Sequence, residues 1–514
     1  MTDDNKMAEE PSAGEDGIDP SDAIEYGIDE KPPAGESAVL GVQHYLTMVG
    51  ANIAVPLILA SAMGMPDDIT AQFVGTFFVV SGIATLAQTT FGNRYPIVQG
   101  APFSMLAPAL AIVLVVTSDP ANNWQDALVQ LQGAIIVAAT VQVAMGYFGL
   151  VGKLRRFLSP VVIAPTIALI GLSLFGAPQI TTTDQSWWLL GLTLGLIVLF
   201  SQYLDVKRRA FRLYPVILAL GISWLVAAGL SVTGTLGSGH PGYVPLGQVT
   251  DTTMILPIYP FQWGMPEITG AFIIGMFAGV LASMVESLGD YYAVANITGS
   301  AAPSAKRINH GIGMEGLMNV FSGIMGTSGS TSYSENIGAI GLTGVASRYV
   351  VQVGALIMLF VGFIGYFGQL IATIPDPIIG GLFIAMFAQI VAVGISNLKH
   401  VDLDSSRNVF VIGFALFVGL SIPEYMANVG GAAEFRAVMD GVAVLGPVLS
   451  ERVIADTVFV IGSTGMAVGG LAALVLDNTI PGTREERGLA EWQRLTEEDA
   501  EFETFWQRWT GSDQ

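Results

Sequence analysis

The 514-residue chain contains no cysteine. A disulfide framework, a thiolate nucleophile and a cysteine metal site are therefore excluded. Its four histidines, at 44, 240, 310 and 400, are too scattered to give metal-ligand spacing. Charged residues make up 12% of the chain, against about 25% in an ordinary soluble domain. So few charges cannot cover a soluble surface of this size. Cations are scarcest: 21 Lys and Arg stand against 42 Asp and Glu, a net charge of −21. No basic patch is available for phosphates, so nucleic acid is excluded as a partner. What abounds is apolar. Hydrophobic residues reach 52% and the mean hydropathy is +0.59. This composition excludes a disordered chain and argues against a soluble enzyme.

The acidity is concentrated at the ends. Residues 1–36 hold 12 acidic and 2 basic side chains, and residues 477–514 hold 10 and 4. The remainder is nearly neutral. Residues 1–37 read as an acidic disordered tail: they are rich in Asp, Glu, Gly and Pro, and lack the basic start and apolar stretch of a cleavable signal peptide. Residues 38–477 read as a transmembrane domain and 478–514 as an acidic cytoplasmic tail. Acidic tails of this kind also fit a cell with high internal salt.

A bilayer-spanning helix needs roughly 20 apolar residues. Fourteen candidate segments follow: 38–62, 69–91, 97–117, 127–150, 158–177, 186–204, 213–235, 268–296, 308–326, 333–345, 348–374, 376–397, 407–425 and 455–477. With the amino terminus inside, loops after even-numbered segments are cytoplasmic, and these hold 13 of the 15 Lys and Arg residues between 37 and 476. Only Arg436 and Arg452 fall in an outer loop. This bias is the one cytoplasmic loops carry. It places both termini in the cytoplasm of a multi-pass plasma-membrane protein.

Fourteen divides into seven and seven, and an odd number of segments per half forces opposite orientations, the mark of an inverted repeat. The third segment of each half is interrupted. Segment 3 contains Tyr95-Pro-Ile-Val-Gln-Gly-Ala-Pro-Phe-Ser-Met-Leu-Ala-Pro108, and segment 10 follows Gly326-Thr-Ser-Gly-Ser-Thr-Ser-Tyr-Ser-Glu-Asn-Ile-Gly338. Proline removes a backbone donor, and Gly and Ser runs favour extended or turn backbone. Broken backbone at membrane depth is tolerated only where it is buried in protein or lines a cavity. Matching breaks in matching positions point to a transporter's substrate site.

Ionisable residues inside spans are costly and so are functional candidates. Glu286 lies mid-segment 8, and Asp290, four residues on, shares its helical face. Such a pair in low dielectric is a candidate for carrying a coupling proton. Asp290, a turn nearer the cytoplasm, has the alternative of being solvated or bonded to backbone amides. Glu335 and Asn336 stand where segment 10 begins, and a helix start offers unpaired N–H groups. They either cap that helix or bind a ligand. Glu315 reads as structural, bonded to loop backbone. His44, preceded by Gln43, reads as positioning a carboxylate through a hydrogen bond. With Phe103 and Tyr333 nearby and no Lys or Arg within a span, the site suits a flat, neutral, hydrogen-bonding heterocycle.

These residues resemble the nucleobase–ascorbate transporter family, of the microbial xanthine/uracil permease type. The run Glu335-Asn336-Ile337-Gly338-Ala339-Ile340-Gly341-Leu342-Thr343-Gly344 is similar to the family signature. Gln43-His44, the Gln99-Gly-Ala-Pro-Phe-Ser104 piece and Glu286-Ser-Leu-Gly-Asp290-Tyr-Tyr-Ala293 are similar to family motifs too. The resemblance implies an all-α polytopic fold of two inverted repeats. Segments 1–4 and 8–11 would form a core domain, and 5–7 with 12–14 a gate domain. Short antiparallel strands would lie in segments 3 and 10. It implies a homodimer whose core moves like an elevator against the gate. It implies import of xanthine, uric acid or uracil with a cation, usually H⁺ in microbes with Na⁺ as the alternative, and no cofactor or metal. Glu286, Glu335, Phe103, Tyr333, Ser334 and Asn336 would form the substrate site. His44, Asp290 and Gln43 would belong to the proton-coupling network. Gly344 stands where many members carry Arg or Lys, and Pro102 would alter the segment 3 strand.

Two other readings compete. An anion carrier of the sulfate or dicarboxylate kind on the same architecture would favour a cation at the segment 10 break. A membrane-embedded enzyme would need a nucleophile–base pair or metal cluster, and the sequence has neither. In the tail, Leu489, Trp492, Leu495, Phe502, Trp506 and Trp509 are spaced for an amphipathic helix. It is expected to dock on the protein's own cytoplasmic face.

Overall fold

A computed structural model of the chain describes residues 24–151, 157, 159–204, 210–211, 214–250, 252–489 and 502–510. Trp492, Leu495 and the seven cations expected at 153–156 and 205–212 lie outside these residues, as does the tail before residue 24.

The first half opens with α1 (Ala34–Met63) and α2 (Asp67–Thr90). Helix α1 ends on Gly64, whose φ of 66° is the left-handed cap that glycine adopts at no steric cost. Strand β1 (Gln99–Gly100) and α3 (Leu106–Thr117) follow. Helix α4 (Trp124–Tyr147) starts with a reciprocal cap, Asn123 accepting from the Gln125 N–H and Asp126 accepting from the Asn123 N–H. Next come α5 (Pro160–Leu172), α6 (Trp187–Val198), continued by a π turn, and α7 (Pro215–Val232).

The second half begins with α8 (Gly270–Ile297), α9 (Ala305–Met325), β2 (Thr331–Ser332) and α10 (Ser334–Thr343). Then come α11 (Arg348–Gly362), α12 (Gly365–Ala372), α13 (Asp376–Ser396), α14 (Ser406–Val429), α15 (Arg452–Gly462) and α16 (Gly465–Thr479). A short helix, α17 (Phe505–Thr510), closes the described chain.

A helix or a broken pair of helices thus stands at each of the fourteen expected segments. Among the described residues, six helices are long and apolar enough to cross a membrane, or up to eight if α1, bent by 42°, and the α15–α16 pair, bent by 92°, each count as one span. Helices α3, α5, α6 and α11 are apolar but shorter.

The helices pack in two groups. Helix α4 packs on α9 and α8, and α2 packs on α11 and α12, with α1 against α11. Separately, α13 packs on α5 and α6, and α16 packs on α14 and α5. The main bridge between the groups is α8 against α15. Glycines permit the closest crossings. A β-carbon at Gly133 on α4 would meet the Glu267 carbonyl oxygen at 1.8 Å, and one at Gly354 on α11 would meet the Gly41 carbonyl at 2.6 Å.

Both expected breaks are present. Strands β1 and β2 pair antiparallel, Gln99 opposite Ser332 and Gly100 opposite Thr331. The strand stops before Pro102, which has no N–H to extend the ladder. Downstream, Gly344 has φ 71° and caps α10. A left-handed cap accounts for glycine at this position.

Residues 24–33, expected within the disordered tail, run beside the chain that follows α10. The Glu25 and Tyr26 N–H groups donate to the Gly344 carbonyl, and the Ala346 and Arg348 N–H groups donate to the Tyr26 and Ile28 carbonyls. Helix α1 itself starts at Ala34, four residues before the expected first segment.

Candidate functional site

The strand pair is held by polar side chains reaching in from three helices. Asn52 on α1 accepts from the Ala101 N–H at 3.0 Å and from the Ser81 hydroxyl at 3.0 Å. Thr85 on α2 accepts from the Gln99 N–H at 2.9 Å. Asn336 on α10 accepts from the Val98 N–H at 2.9 Å. Each partner satisfies a backbone donor that the membrane interior would otherwise strand. Sequence reading missed Asn52 and Thr85. Counting every polar residue within spans, and not only the ionisable ones, would have found both.

A cavity of about 510 Å³ opens beside the strands, where the two helix groups face each other. One wall carries Glu286, Asp290, Phe103, Tyr333, Ser334 and Glu335. The opposite wall comes from α5, α7, α13 and the turn that follows α13, and includes Ile167, Val216, Gln389 and Asn397. Gln389 and Asn397 were not anticipated. The structure therefore brings five of the six expected binding residues to one cavity. The sixth, Asn336, is fully buried and is not in the lining.

Glu286 and Asp290 both face the cavity, as the spacing of four residues requires. Glu286 Oε2 is buried and has no hydrogen-bond partner among the described residues. An unpaired carboxylate oxygen aimed into a cavity is free to accept from a ligand, and leaving it unpaired is costly. Asp290 also faces the cavity, and among the described residues its contacts are side-chain hydroxyls. It is buried and accepts from the Ser332 hydroxyl at 2.5 Å and the Ser334 hydroxyl at 2.6 Å. Glu335 lies in the first turn of α10, inside the helix and not in the non-helical backbone before it. Tyr333 donates its hydroxyl to the Ala101 carbonyl at 2.9 Å, and the Phe103 ring meets Phe387 edge-on at 6.1 Å.

His44 and Asn336 do something other than expected. The histidine is buried, and its Nδ1 lies 2.8 Å from Asn336 Nδ2. Among the contacts the structure gives it, the histidine thus positions an amide. With the Asn336 oxygen on the Val98 N–H, that amide links α1, the chain entering β1 and α10. Gln43 is half-buried and is not in the cavity lining.

Glu315 on α9 is the largest departure. It is buried inside the bundle. It accepts from Ser283 at 2.8 Å, Gln142 at 3.1 Å and Ser287 at 2.5 Å, all side chains of α4 and α8. The Ser287 hydroxyl in turn lies 2.9 Å from that of Ser332. A line of oxygens thus runs from Glu315 through Ser287 and Ser332 to Asp290 at the cavity. The two hydroxyl hydrogens serve three oxygen–oxygen contacts, so one added proton satisfies the line. The proton then sits on either carboxyl according to which way the hydroxyls turn. Among the described residues no group of three His, Cys, Asp or Glu side chains is placed to hold a metal ion.

Comparison with known proteins finds relatives of the chain and of its fold. The Permease family model designated Xan_ur_permease matches residues 35–427. Solute carrier family 23 member 2 of Rattus norvegicus is 40% identical over 542 residues, covering 96% of this chain and 81% of the relative. Nucleobase-ascorbate transporter 2 of Arabidopsis thaliana is 34% identical over 511 residues, covering 95% and 93%. Among solved structures, the transmembrane domain of a cyanobacterium bicarbonate transporter, BicA, aligns with a TM-score of 0.51 at 17% identity, covering 85% of this chain and 98% of that one. The structure of SLC26A9 aligns with a TM-score of 0.50 at 12% identity, covering 74% and 61%. At such identities these two likenesses concern the fold alone.

Proposed function

Because this chain belongs to the nucleobase–ascorbate permease family, and so is a multi-pass membrane transporter and not an enzyme, we propose that it imports an uncharged nucleobase across the plasma membrane together with a proton. One observation carries the reading. The cavity lining contains three carboxylates, hydroxyls and aromatic rings, and neither Lys nor Arg among the described residues. Ascorbate is an anion at neutral pH, and this lining would repel it. Xanthine and uracil are neutral and flat, with adjacent ring N–H groups and carbonyls. Uric acid, an anion at neutral pH, fits less well.

In this reading Glu286 accepts from ring N–H groups with its unpaired oxygen, and Glu335 supplies the second acceptor. The first-turn N–H groups of α10 donate to a ring carbonyl. Phe103 and Tyr333 flank the ring, and Ser334 holds Asp290 in place. The line from Asp290 to Glu315 stores the coupling proton, and His44 keeps the strand pair in register through Asn336.

The two helix groups serve as core (α1–α4 and α8–α12) and gate (α5–α7 and α13–α16), in a fourteen-span inverted-repeat homodimer with both termini cytoplasmic. A cavity walled by both groups supports alternating access by movement of one against the other. The anion-carrier reading lacks its main requirement, a cation at the α10 break.

The test is uptake of radiolabelled xanthine or uracil into proteoliposomes under an imposed pH gradient. Uptake should collapse with a protonophore and in Glu286→Gln. Uptake by that variant at the parent rate would remove Glu286 from the mechanism, and parent uptake indifferent to the gradient would remove the proton.

A further inference from the structure

The chain ahead of α1 holds the far end of the helix that carries Glu335. The Gly344 carbonyl, at the left-handed cap of α10, accepts from the Glu25 N–H at 2.8 Å and the Tyr26 N–H at 3.2 Å. The Tyr26 carbonyl accepts from the Ala346 N–H at 2.8 Å, and the Ile28 carbonyl from the Arg348 N–H at 3.0 Å. The Glu30 carbonyl accepts from the Ser347 hydroxyl at 2.6 Å. Tyr26 and Val345 thus form a parallel bridge, and the Tyr26 hydroxyl donates to Glu36 on α1 at 3.0 Å. Asp29 adds charge to the grip. It lies 2.6 Å from Arg348, which starts α11, and 3.7 Å from Arg94, which precedes β1. Arg94 takes φ 61°, a left-handed conformation uncommon outside glycine. Residues 25–30 therefore fasten the chain leaving one broken segment to the chain entering the other.

Neither the bilayer nor side-chain packing fixes α10 by itself. Its ten residues rise roughly 15 Å, about half the hydrocarbon thickness. It packs on α1 and α8 along one side. On the other side, a β-carbon at Gly338, which lines the cavity, would meet nothing within 4 Å among the described residues, and one at Gly341 would meet Ile297 at 3.9 Å. Polar contacts at the two ends complete the hold. At the cavity end the Ser334 hydroxyl donates to Asp290, and the Asn336 oxygen accepts from the Val98 N–H. At the other end the partners are the backbone groups of residues 25–28. We infer that residues 25–30 are a positioning strap for the substrate site, with Asp29 as its charged clasp, and that their grip on Gly344 and Arg348 keeps Ser334 and Glu335 where a base meets them. The inference rests on the assignment of the cavity to a base given above. Apparent affinity falls with the fraction of molecules in the competent arrangement, so a loosened strap weakens binding while every group that touches the ligand stays in the chain.

The test uses the full-length protein with Asp29→Ala or Tyr26→Pro, the proline removing one donor to Gly344. Hydrogen exchange read by mass spectrometry should quicken across Ser334–Thr343 in both variants and keep the parent rate across α4. The dissociation constant for radiolabelled xanthine or uracil, whichever the parent binds more tightly, should rise roughly fivefold in Asp29→Ala, the size of effect an exposed ion pair supplies. Thermal unfolding should move little, and Asp29→Glu, which keeps the carboxylate, should lie near the parent. Parent exchange rates across α10 in both variants would overturn the strap, whether or not bases are bound. Faster exchange with parent affinity would overturn its link to the site. A parent that binds no base would instead sink the carrier reading, and exchange across α10 alone would then uphold or overturn the strap.

Discussion

Tyr333 lies across the backbone of Gly100. A β-carbon at position 100 would meet Cζ of the ring at 2.5 Å, while the phenol donates to the neighbouring Ala101 carbonyl at 2.9 Å. Glycine in β1 is therefore a requirement of the ring that walls the cavity. Gly100→Ala should push the ring off its acceptor, destabilise the protein by about 1–3 kcal/mol and abolish base binding. Thermal unfolding and a binding isotherm check the two parts separately. Parent affinity in this variant would mean that the ring's position is irrelevant to the substrate.

The line from Asp290 to Glu315 predicts uncoupling. Ser287→Ala removes the hydroxyl that joins the two carboxyls while leaving Glu286 in place. Gradient-driven uptake should fall at least tenfold, while exchange of labelled for unlabelled base at equal pH persists. Uptake and exchange falling together would assign Ser287 to binding.

Asn336 predicts a stability effect larger than its effect on base contacts. Asn336→Ala leaves the Val98 N–H buried without its acceptor and should cost about 1–3 kcal/mol. Asn336→Asp keeps an acceptor for Val98 but loses the donor to His44, and should lie between parent and alanine variant in thermal unfolding.

Two aspartates each joined to two arginines should behave differently. Asp29 lies 2.6 Å from Arg348 and 3.7 Å from Arg94 but is 49% exposed, so Asp29→Ala should cost about 1 kcal/mol or less, and less again in high salt. Asp477 is 0% exposed between Arg407 and Arg487, so Asp477→Ala strands buried cations and should cost about 3–5 kcal/mol. Melting temperatures of both variants in low and high salt decide the comparison.

Composition and apolar run length, properties of the chain alone, determined that this is a multi-pass membrane protein. They also located the helices, because each span must meet the bilayer with its own residues. The two breaks were legible for the same local reason: proline and glycine act on the backbone where they stand. Glu286 and Asp290 were placed on one face by helical spacing, which is also local. What sequence could not give is which polar groups meet across elements. Glu315 reads as a loop neighbour until α4, α8 and α9 pack and bring Gln142, Ser283 and Ser287 around it. His44 and Asn336 are 292 positions apart, and only the packing of α1 on α10 makes one the partner of the other. Hydrogen bonds between distant segments depend on tertiary approach to within a few ångströms, and no pattern in either segment alone encodes it.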